Sequence, residues 1–349
     1  MVWNSDAMAE VPARTIWWDG DDVAVIDQTR LPHALDVVRW RTLDDAAHGI
    51  ATMQVRGAPL IGVAVAHGVA LAMRHDPSDL ARACAVLKAT RPTAVNLAWA
   101  LERVQAALAG VAPSDRWPTA RALASTIADE DVESCRAIGL AGLPLLQEIH
   151  ERTGQPVQVL THCNAGWLAC VEWGTVLAPV YMAHQRGIPV HVWVSETRPR
   201  NQGASLTAWE LGHGGVPHTL VVDNAAAHLM RSGLVDVVIL GADRIAANGD
   251  VANKIGTALK AYAAHACGIP FYSAAPQSTF DAACPDGDAI PIEEREPDEV
   301  LYVSGFPIAP PGTPARNWGF DVTPARYFTG YITDIGLVGP LELGRVFGA

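Results

Sequence analysis

The stretch VQVLTHCNAG, residues 157–166, decides the fold, because it is a short β-branched run that ends in small and polar residues. Four similar runs follow it, each after a helix-like segment: PVHVWVS (189–195), HTLVV (218–222), VDVVIL (235–240) and IPFYSA (269–274). Short apolar strands that alternate with helices are typical of a parallel sheet with right-handed crossovers. We therefore predict an α/β fold whose second part is a Rossmann-like, doubly wound parallel-sheet domain.

The residues before this stretch have a different pattern. Residues 17–38 alternate short apolar runs with turns, which predicts a short β-meander. Alanine- and leucine-rich segments then predict helices at 44–48, 58–73, 79–87, 94–108, 118–129 and 132–150, the last with the acids Asp129–Asp131 at its N-terminus. We divide the chain into a small, mainly helical N-terminal domain, residues 1–125, and a Rossmann-like α/β catalytic domain, residues 126–349.

The composition limits the class of protein. The chain has 349 residues, 50% hydrophobic and 18% charged, so it can bury a large core, and its net charge of −12 argues against nucleic acid as the main partner. Six cysteines without a C-x-x-C pair, and an N-terminus without a secretory signal pattern, predict reduced thiols in a cytoplasmic protein. Residues 167–183 are the most membrane-like stretch, but Glu172, Pro179 and the short length favour a buried helix and no membrane partner.

Polar residues follow all five predicted strands, at the point where each strand ends. Ligands of doubly wound sheets bind beyond the carboxyl ends of the strands. The segments placed there are THCNAG (161–166), SETR (195–198), DNA (223–225), GADR (241–244) and SAA (273–275). We predict that this rim of the sheet is the active site.

Several kinds of chemistry are not supported by the rim. The chain has no G-x-G-x-x-G after the first strand, no P-loop and no G-x-S-x-G, and its His and Cys spacing matches no familiar zinc site. We therefore predict no nucleotide cofactor and no metal.

A thiol and a carboxyl group at two strand ends remain. Cys163 precedes a predicted helix, whose N-terminal amides would favour the thiolate and lower the pKa from about 8.5. Asp243 closes the apolar run VDVVILGAD, where desolvation would raise its pKa and let it keep a proton near neutrality. Singly, Cys163 is better explained as a buried small side chain and Asp243 as a helix cap. Their joint placement at strand ends favours an acid/base pair.

Cationic residues are few and local. Arg56 and Gly57 directly precede a predicted helix that starts at Ala58, where backbone amides and a guanidinium could hold one phosphate. Arg91 lies at the start of another helix, and Asn253-Lys254 follows the Asp243 strand closely enough to reach the same rim. Each could equally be a solvated surface charge or a turn residue. Together, in an acidic chain with few charges, they predict an anionic small molecule as the ligand.

Seven segments in combination resemble the methylthioribose-1-phosphate isomerases, a family shared with regulatory subunits of the eukaryotic initiation-factor exchange complex. They are RGAPLIGVAVAHG (56–68), RPTAVNLAWAL (91–101), LTHCNAGWLA (160–169), SETRPRNQGASLTAWEL (195–211), VVDNAAAHLM (221–230), GADRIAANGDVANKIGT (241–257) and IPIEER (290–295). The resemblance runs from about Arg56 to Asp334 and is carried by the combination, since RGAP or GADR alone would not be specific.

The resemblance implies an aldose–ketose isomerase that converts 5-methylthioribose 1-phosphate to 5-methylthioribulose 1-phosphate in methionine salvage, without a cofactor and as a homodimer. By motif, it implies that Cys163 and Asp243 are catalytic, with Asp243 as the proton donor. It also implies the substrate-holding residues Arg56, Gly57, Ala58, Arg91, Gln202, Asn253 and Lys254. Two alternatives stay open: a sister isomerase acting on 5-deoxyribose 1-phosphate or ribose 1,5-bisphosphate, and a non-catalytic regulatory protein on the same fold.

Overall fold

The structure is a computed structural model that describes residues 11–91 and 94–347. Pro92 and Thr93 of the segment RPTAVNLAWAL therefore lie outside the described residues. The first part begins with a three-stranded antiparallel sheet of β1 (Ile16–Asp19), β2 (Asp22–Ile26) and β3 (Val37–Trp40). This sheet confirms the predicted β-meander.

Helices then make up the remainder of the first part. They are α1 (Leu43–Ala51), α2 (Ala58–His75), α3 (Leu80–Thr90), α4 (Val95–Leu108) and α5 (Pro113–Thr153). Helix α2 is long and apolar enough to span a membrane by length and composition alone, yet 72% of it is buried inside the structure. It is the central helix of this part, and its N-terminus points at the parallel sheet described below.

Helix α5 replaces two predicted helices. Residues 118–129 and 132–150 lie in one helix of 41 residues, and Asp129–Asp131 lie in its interior, so the prediction that these acids start a helix is wrong. The acids have partners outside the helix instead: Asp129 pairs with Arg14, and Asp131 accepts a hydrogen bond from the Val171 amide at 2.7 Å. With these side chains satisfied elsewhere, the helix continues past them.

The predicted domain boundary at residues 125 and 126 falls inside α5. Ala124 in the N-terminal half of the helix packs in the core of the helical part, and Leu146 in the C-terminal half packs in the core beneath the parallel sheet. The helix therefore belongs to both cores, and the division into two domains stays a prediction.

Strands and helices alternate from Val157 onward. They are β4 (Val157–His162), α6 (Leu177–Gln185), β5 (Val190–Ser195), α7 (Ala208–His213), β6 (His218–Val221), α8 (Ala225–Arg231), β7 (Val237–Leu240), β8 (Arg244–Ala246), β9 (Val251–Lys254), α9 (Thr257–Cys267) and β10 (Phe271–Ala274). The later elements are β11 (Phe280–Asp281), α10 (Asp298–Leu301), β12 (Tyr302–Val303), β13 (Phe306–Pro307), β14 (Phe320–Thr323), β15 (Gly330–Thr333), β16 (Gly336–Val338) and α11 (Leu343–Phe347).

The main sheet confirms the predicted doubly wound fold. Its strand order is β16-β15-β10-β7-β4-β5-β6, and all neighbouring strands are parallel except β16, which runs antiparallel to β15. The five predicted strands are all present, while β15 and β16 add two strands that the sequence patterns did not predict. Strand β4 has β5 on one side and β7 on the other, so the strand order changes direction there, which is where such sheets bind ligands.

A smaller sheet stands beside the main one, with the order β11-β8-β9-β14. Strands β8 and β9 form an antiparallel hairpin that begins directly after Asp243. The hairpin returns the chain to the same edge of the main sheet and carries Asn253 and Lys254 on β9.

The buried helix predicted for residues 167–183 is wrong in its first half. Only a 3-10 turn, Trp167–Ala169, forms there, and α6 begins at Leu177. Gly166 bridges to Gly174, and a Cβ atom at Gly166 would lie 1.9 Å from a carboxyl oxygen of Glu210. The chain therefore makes a tight loop over the Glu210 side chain where the apolar pattern alone suggested a helix.

Candidate active site

A narrow cavity of about 40 Å³ lies beyond the ends of β4 and β7, at the point where the strand order changes direction. Its walls include six of the nine predicted site residues: Arg56, Gly57, Ala58, Cys163, Asp243 and Asn253. They reach it from the start of α2, the ends of β4 and β7, and strand β9. The structure thus brings together residues that are far apart in the sequence. The surrounding segments have to move apart before a molecule as large as a pentose phosphate can be admitted.

Cys163 is held in a strained backbone conformation at the end of β4. Its φ angle is 62°, in the left-handed region that costs a non-glycine residue about 1–3 kcal/mol. Two side chains from the segment after β5 fix this conformation: the Cys163 amide donates to Thr197 Oγ1 at 2.7 Å, and Thr207 Oγ1 donates to the Cys163 carbonyl at 2.7 Å. Backbone strain of this kind is typical of functional positions.

The surroundings of the Cys163 thiol differ from the prediction. We expected the N-terminus of the following helix beside it, but the residues after Cys163 form a loop and a 3-10 turn, and α6 begins only at Leu177, so that helix does not bring its amides to the sulfur. The guanidinium of Arg56 contacts the sulfur, with Nη2 3.9 Å from Sγ, and Lys254 and Lys260 also lie within electrostatic range of the thiol. The same guanidinium donates to Asn164 Oδ1 at 2.7 Å and to the Asn164 carbonyl at 3.0 Å.

Asp243 has the environment that its apolar strand predicted. Burial raises the pKa of its carboxyl group above the ordinary value, while Lys254, Arg56 and Arg91 act in the opposite direction. Its backbone amide donates to the Ala252 carbonyl at 3.0 Å, which fixes the residue to the β8–β9 hairpin. A buried carboxyl group with a raised pKa can act as a proton donor.

Three predicted binding residues lie outside the lining of this cavity. Lys254 is largely buried, and its Nζ donates to the Gly319 carbonyl at 2.9 Å. The same Nζ lies 4.4 Å from the centre of the Phe320 ring. Arg91 lies within electrostatic range of Asp243, and its Nη1 is buried without a hydrogen-bond partner among the described residues. Gln202 is buried ahead of the π-helical turn Gly203–Thr207, and its Oε1 also has no partner within the described part of the chain.

The start of α2 approaches the loop after β4 closely. Gly57 has a φ angle of 95°, and a Cβ atom there would lie 2.5 Å from the Ala169 carbonyl oxygen. Only glycine allows this approach. The backbone amides of Gly57 and Ala58 therefore lie at the cavity next to the Arg56 guanidinium, at the start of an 18-residue helix whose second residue, Pro59, has no N–H, an arrangement that suits a phosphate group.

His162 lies beside Cys163 but is not suited to be a general base. Burial, with the nearby charge of Lys260, lowers the pKa of its imidazole to about 3, so the ring is neutral. Its Nε2 lies 2.8 Å from the Ile255 carbonyl, to which it donates. His162 therefore acts as a neutral link between β4 and the segment before α9.

The sequence patterns missed the residues that hold the Cys163 loop, which we define as residues 163–170. They are Asn164, Thr197, Thr207 and Glu210, of which Asn164 and Thr197 were placed at the rim but given no role. Glu210 is completely buried within α7, and burial raises the pKa of its carboxyl group to about 8. One signal could have pointed to Glu210: it is the single carboxylate in the mainly apolar segment LTAWELG. A carboxylate on the buried side of a helix needs hydrogen-bond partners, so its presence there indicates a buried polar contact.

Comparison with known proteins identifies the family. The model of the Initiation factor 2 subunit family matches residues 54–340. The chain belongs to this family. A relative from Rhodospirillum centenum named methylthioribose-1-phosphate isomerase is 56% identical over 346 residues, which cover 95% of this chain and 92% of that protein.

Two solved structures of this family share the whole fold. The 5-methylthioribose 1-phosphate isomerase of Pyrococcus horikoshii OT3 has a TM-score of 0.87 at 41% identity, with 96% of each chain covered. The translation initiation factor eIF-2B subunit delta of A. fulgidus has a TM-score of 0.84 at 39% identity, covering 97% of this chain and 100% of that one. Proteins that share this fold thus include one named as an isomerase and one named as an initiation-factor subunit.

Proposed function

We propose that this chain is an aldose–ketose isomerase that converts 5-methylthioribose 1-phosphate to 5-methylthioribulose 1-phosphate in methionine salvage. One observation carries the proposal: a cavity at the switch point joins a thiol, a buried carboxyl group and a cationic helix start, in a chain 56% identical to a methylthioribose-1-phosphate isomerase. A purely regulatory protein has no need of the Cys163 and Asp243 pair.

The substrate requires an acid at its ring oxygen. Its C1 is locked in a ring acetal by the phosphate, so the ring must open before hydrogen can move from C2 to C1. Asp243 is the group that we assign to this step, because its carboxyl group lines the cavity and burial raises its pKa toward the range of a proton donor. After donating that proton to the ring oxygen, the Asp243 carboxylate can accept the proton of the C2 hydroxyl as C2 becomes a ketone.

Hydrogen then has to travel from C2 to C1. We propose that the Cys163 thiolate removes the C2 proton and returns it to C1 through an enediolate-like intermediate, with the Arg56 guanidinium stabilising negative charge beside the sulfur. Isomerisation in heavy water tests this route. Deuterium at C1 of the product is expected, whereas its complete absence would favour a hydride shift.

The phosphate and the methylthio group need different surroundings. We assign the phosphate to the start of α2, where the Gly57 and Ala58 amides lie next to Arg56. Once the cavity has widened, we expect the substrate to contact Asn253 in its lining and to come within reach of Arg91, Gln202 and Lys254. Small apolar side chains also line the cavity: Pro59, Ala165, Ala169, Ala242, Ala274 and Ala275. Such a wall suits a methylthio group better than a second phosphate.

The decisive experiment measures turnover by the purified chain with no partner added. We expect conversion of 5-methylthioribose 1-phosphate with a kcat/KM well above that for 5-deoxyribose 1-phosphate and ribose 1,5-bisphosphate. No turnover of any of the three sugars would favour the regulatory alternative. A preference for another sugar would assign the chain to a sister isomerase.

The remaining expectations concern assembly and location. We propose a homodimer in the cytoplasm, with no nucleic acid, membrane, metal or cofactor required. The six cysteines are free thiols, five of them buried, which suits a reducing compartment. Light scattering coupled to size exclusion measures the mass directly, and a monomer would contradict the first expectation.

A further inference from the structure

Glu210 is the buried side chain around which the Cys163 loop folds. Its Oε1 accepts a hydrogen bond from Asn164 Nδ2 at 2.5 Å, and its Oε2 lies 3.5 Å from the Leu168 amide. The Trp167 amide and the Tyr181 hydroxyl also donate to this carboxyl group. Groups from α6 and from the loop therefore converge on one carboxyl group that is not exposed at all.

Asn164 connects Glu210 to the cavity, because its side chain is hydrogen-bonded to Glu210 at one end and to Arg56 at the other. Its Nδ2 donates to Glu210 and also to Thr207 Oγ1 at 3.1 Å, so its Oδ1 faces the other way and accepts from Arg56 Nη1 at 2.7 Å. An amide side chain has one donor end and one acceptor end, and the partners at the two ends decide which way it points. The Arg56 guanidinium needs an acceptor, and the Glu210 carboxyl group needs a donor. The contacts on the two sides thus agree on a single orientation.

Arg56 completes the connection to the reacting groups. Its Nη2 lies 3.9 Å from Cys163 Sγ, and the residue directly precedes the start of α2, where the phosphate is assigned. A change in the Asn164 side-chain orientation would remove the acceptor of Nη1 and leave the guanidinium held only by the Asn164 backbone carbonyl, to which Nη2 donates at 3.0 Å, so its position beside the sulfur would be less well fixed.

We propose that Glu210 is a positioning residue for the isomerisation, whose buried carboxyl group orients Asn164 and, through it, the Arg56 guanidinium beside the Cys163 thiol. This inference rests on the proposed function for its catalytic meaning, although the chain of contacts stands without it. Glu210 itself does not line the cavity and touches neither the thiol nor the substrate site.

A carboxyl group suits this position because the four groups described at its oxygens, Asn164 Nδ2, the Trp167 and Leu168 amides and the Tyr181 hydroxyl, can all donate to it. Glutamine has the same shape but only one acceptor atom, and its amide nitrogen would face either Asn164 Nδ2 or the amides of the loop. Burial favours a neutral carboxyl group, and the Arg56 charge and the donors favour the ionised one, which together place the pKa of Glu210 at about 8. In either state both carboxyl oxygens keep acceptor capacity, although the protonated form also carries one O–H donor, whereas the amide nitrogen of glutamine cannot accept at all.

Three variants test the proposal by changing which side chain donates and which accepts in the contact between residues 164 and 210. In Glu210→Gln we expect kcat to fall at least 10-fold and KM to rise several-fold, with the fold retained by circular dichroism. In the double variant Asn164→Asp/Glu210→Gln the donor and acceptor roles are exchanged: the introduced glutamine donates through its Nε2 to the new carboxylate, which also accepts from Arg56. We expect the double variant to recover most of the activity that Glu210→Gln loses. Asn164→Asp alone, with two carboxyl groups in contact, should remain impaired.

Leu211→Ala is the matched control for stability. Leu211 is the next residue of α7 and is equally buried, so its truncation destabilises the fold without touching Asn164. We expect a lower Tm with kcat and KM within twofold of wild type. Wild-type kinetics in Glu210→Gln, or a double variant no more active than Glu210→Gln, would overturn the proposal.

A second readout separates this inference from the proposed function. The rate of Cys163 alkylation by iodoacetamide, followed by mass spectrometry of its peptide, reports the cation beside the sulfur without any sugar. We expect slower alkylation in Glu210→Gln and recovery in the double variant, and equal rates in all forms would contradict the inference. If the wild-type protein turns over no sugar phosphate, the proposed function fails while the alkylation rates still decide the role of Glu210.

Discussion

The two neighbouring strand ends that line the cavity are built in different ways. Asp243 at the end of β7 is fixed by a backbone hydrogen bond into the β8–β9 hairpin, and its environment follows from the apolar strand that precedes it. Cys163 at the end of β4 is held by side chains from the chain between β5 and α7, in a backbone conformation that it would not adopt alone. The β7 end is therefore a product of local sequence, and the β4 end depends on distant residues.

The largest effect is expected at the locally built end. Asp243→Asn keeps the shape of the side chain and removes the proton that opens the ring, so kcat should fall by about 10²–10⁴-fold with little change in KM. Steady-state kinetics with 5-methylthioribose 1-phosphate measure both. Asp281→Asn is the control, because Asp281 lies outside the cavity lining and pairs with Arg244 at 3.7 Å. Near-normal turnover in Asp243→Asn would remove this residue from the mechanism.

The next effect concerns the carboxyl group that supports the other end. The pKa of Glu210 is raised by burial from 4.5 to about 8, so the folded protein keeps a proton there that the unfolded chain releases. Stability from this group is complete below pH 4.5 and is lost as the pH rises toward 8, with a slope of up to about 1.4 kcal/mol per pH unit.

Glu210→Gln removes this titration. Relative to wild type, the variant should gain stability steadily between pH 4.5 and 8, and the difference should level off above that range. Urea unfolding at several pH values measures the difference in unfolding free energy between the variant and wild type. The other titrating groups are the same in both proteins, so their contributions cancel. Parallel curves for the two proteins would show that Glu210 has an ordinary pKa.

The contrast between the two ends also explains what the sequence could predict. The five strands, the rim of polar residues and the burial of Asp243 follow from short apolar runs, which are local patterns. The same patterns placed a helix at residues 167–183, because apolar residues alone do not show that Glu210, in another element, occupies the space above Gly166. Lys254 lies within electrostatic range of Asp243 but outside the cavity lining, and its contact with the Gly319 carbonyl depends on a strand pairing that no local pattern predicts.

The close contact at Gly166 gives a third, smaller effect. In Gly166→Ala the new methyl group meets the Glu210 carboxyl group, so the loop must shift, and we expect a loss of about 1–3 kcal/mol together with reduced kcat. In Gly212→Ala, within α7, the nearest atom to the new methyl group is His218 Cε1 at 3.6 Å. That control should be neutral or slightly stabilising, because alanine favours helices. Equal effects of the two substitutions in thermal unfolding would contradict the packing of the loop on Glu210.

The smallest effect isolates the strain at Cys163. The left-handed conformation penalises any residue with a Cβ atom by about 1–2 kcal/mol, and glycine escapes this penalty. Cys170, at the other end of the loop, has an extended φ of −134° and gains nothing from glycine. We therefore compare Cys163→Gly with Cys163→Ala, and Cys170→Gly with Cys170→Ala. The gain in unfolding free energy from alanine to glycine should be about 1–2 kcal/mol larger at residue 163 than at residue 170. Both variants of each pair lack the sulfur, so its loss cancels within the pair. If denaturant unfolding gives the same glycine-minus-alanine difference at both positions, the β4 end is not strained. Both variants at residue 163 should lack turnover, because each removes the thiol that the strained backbone holds beside Arg56.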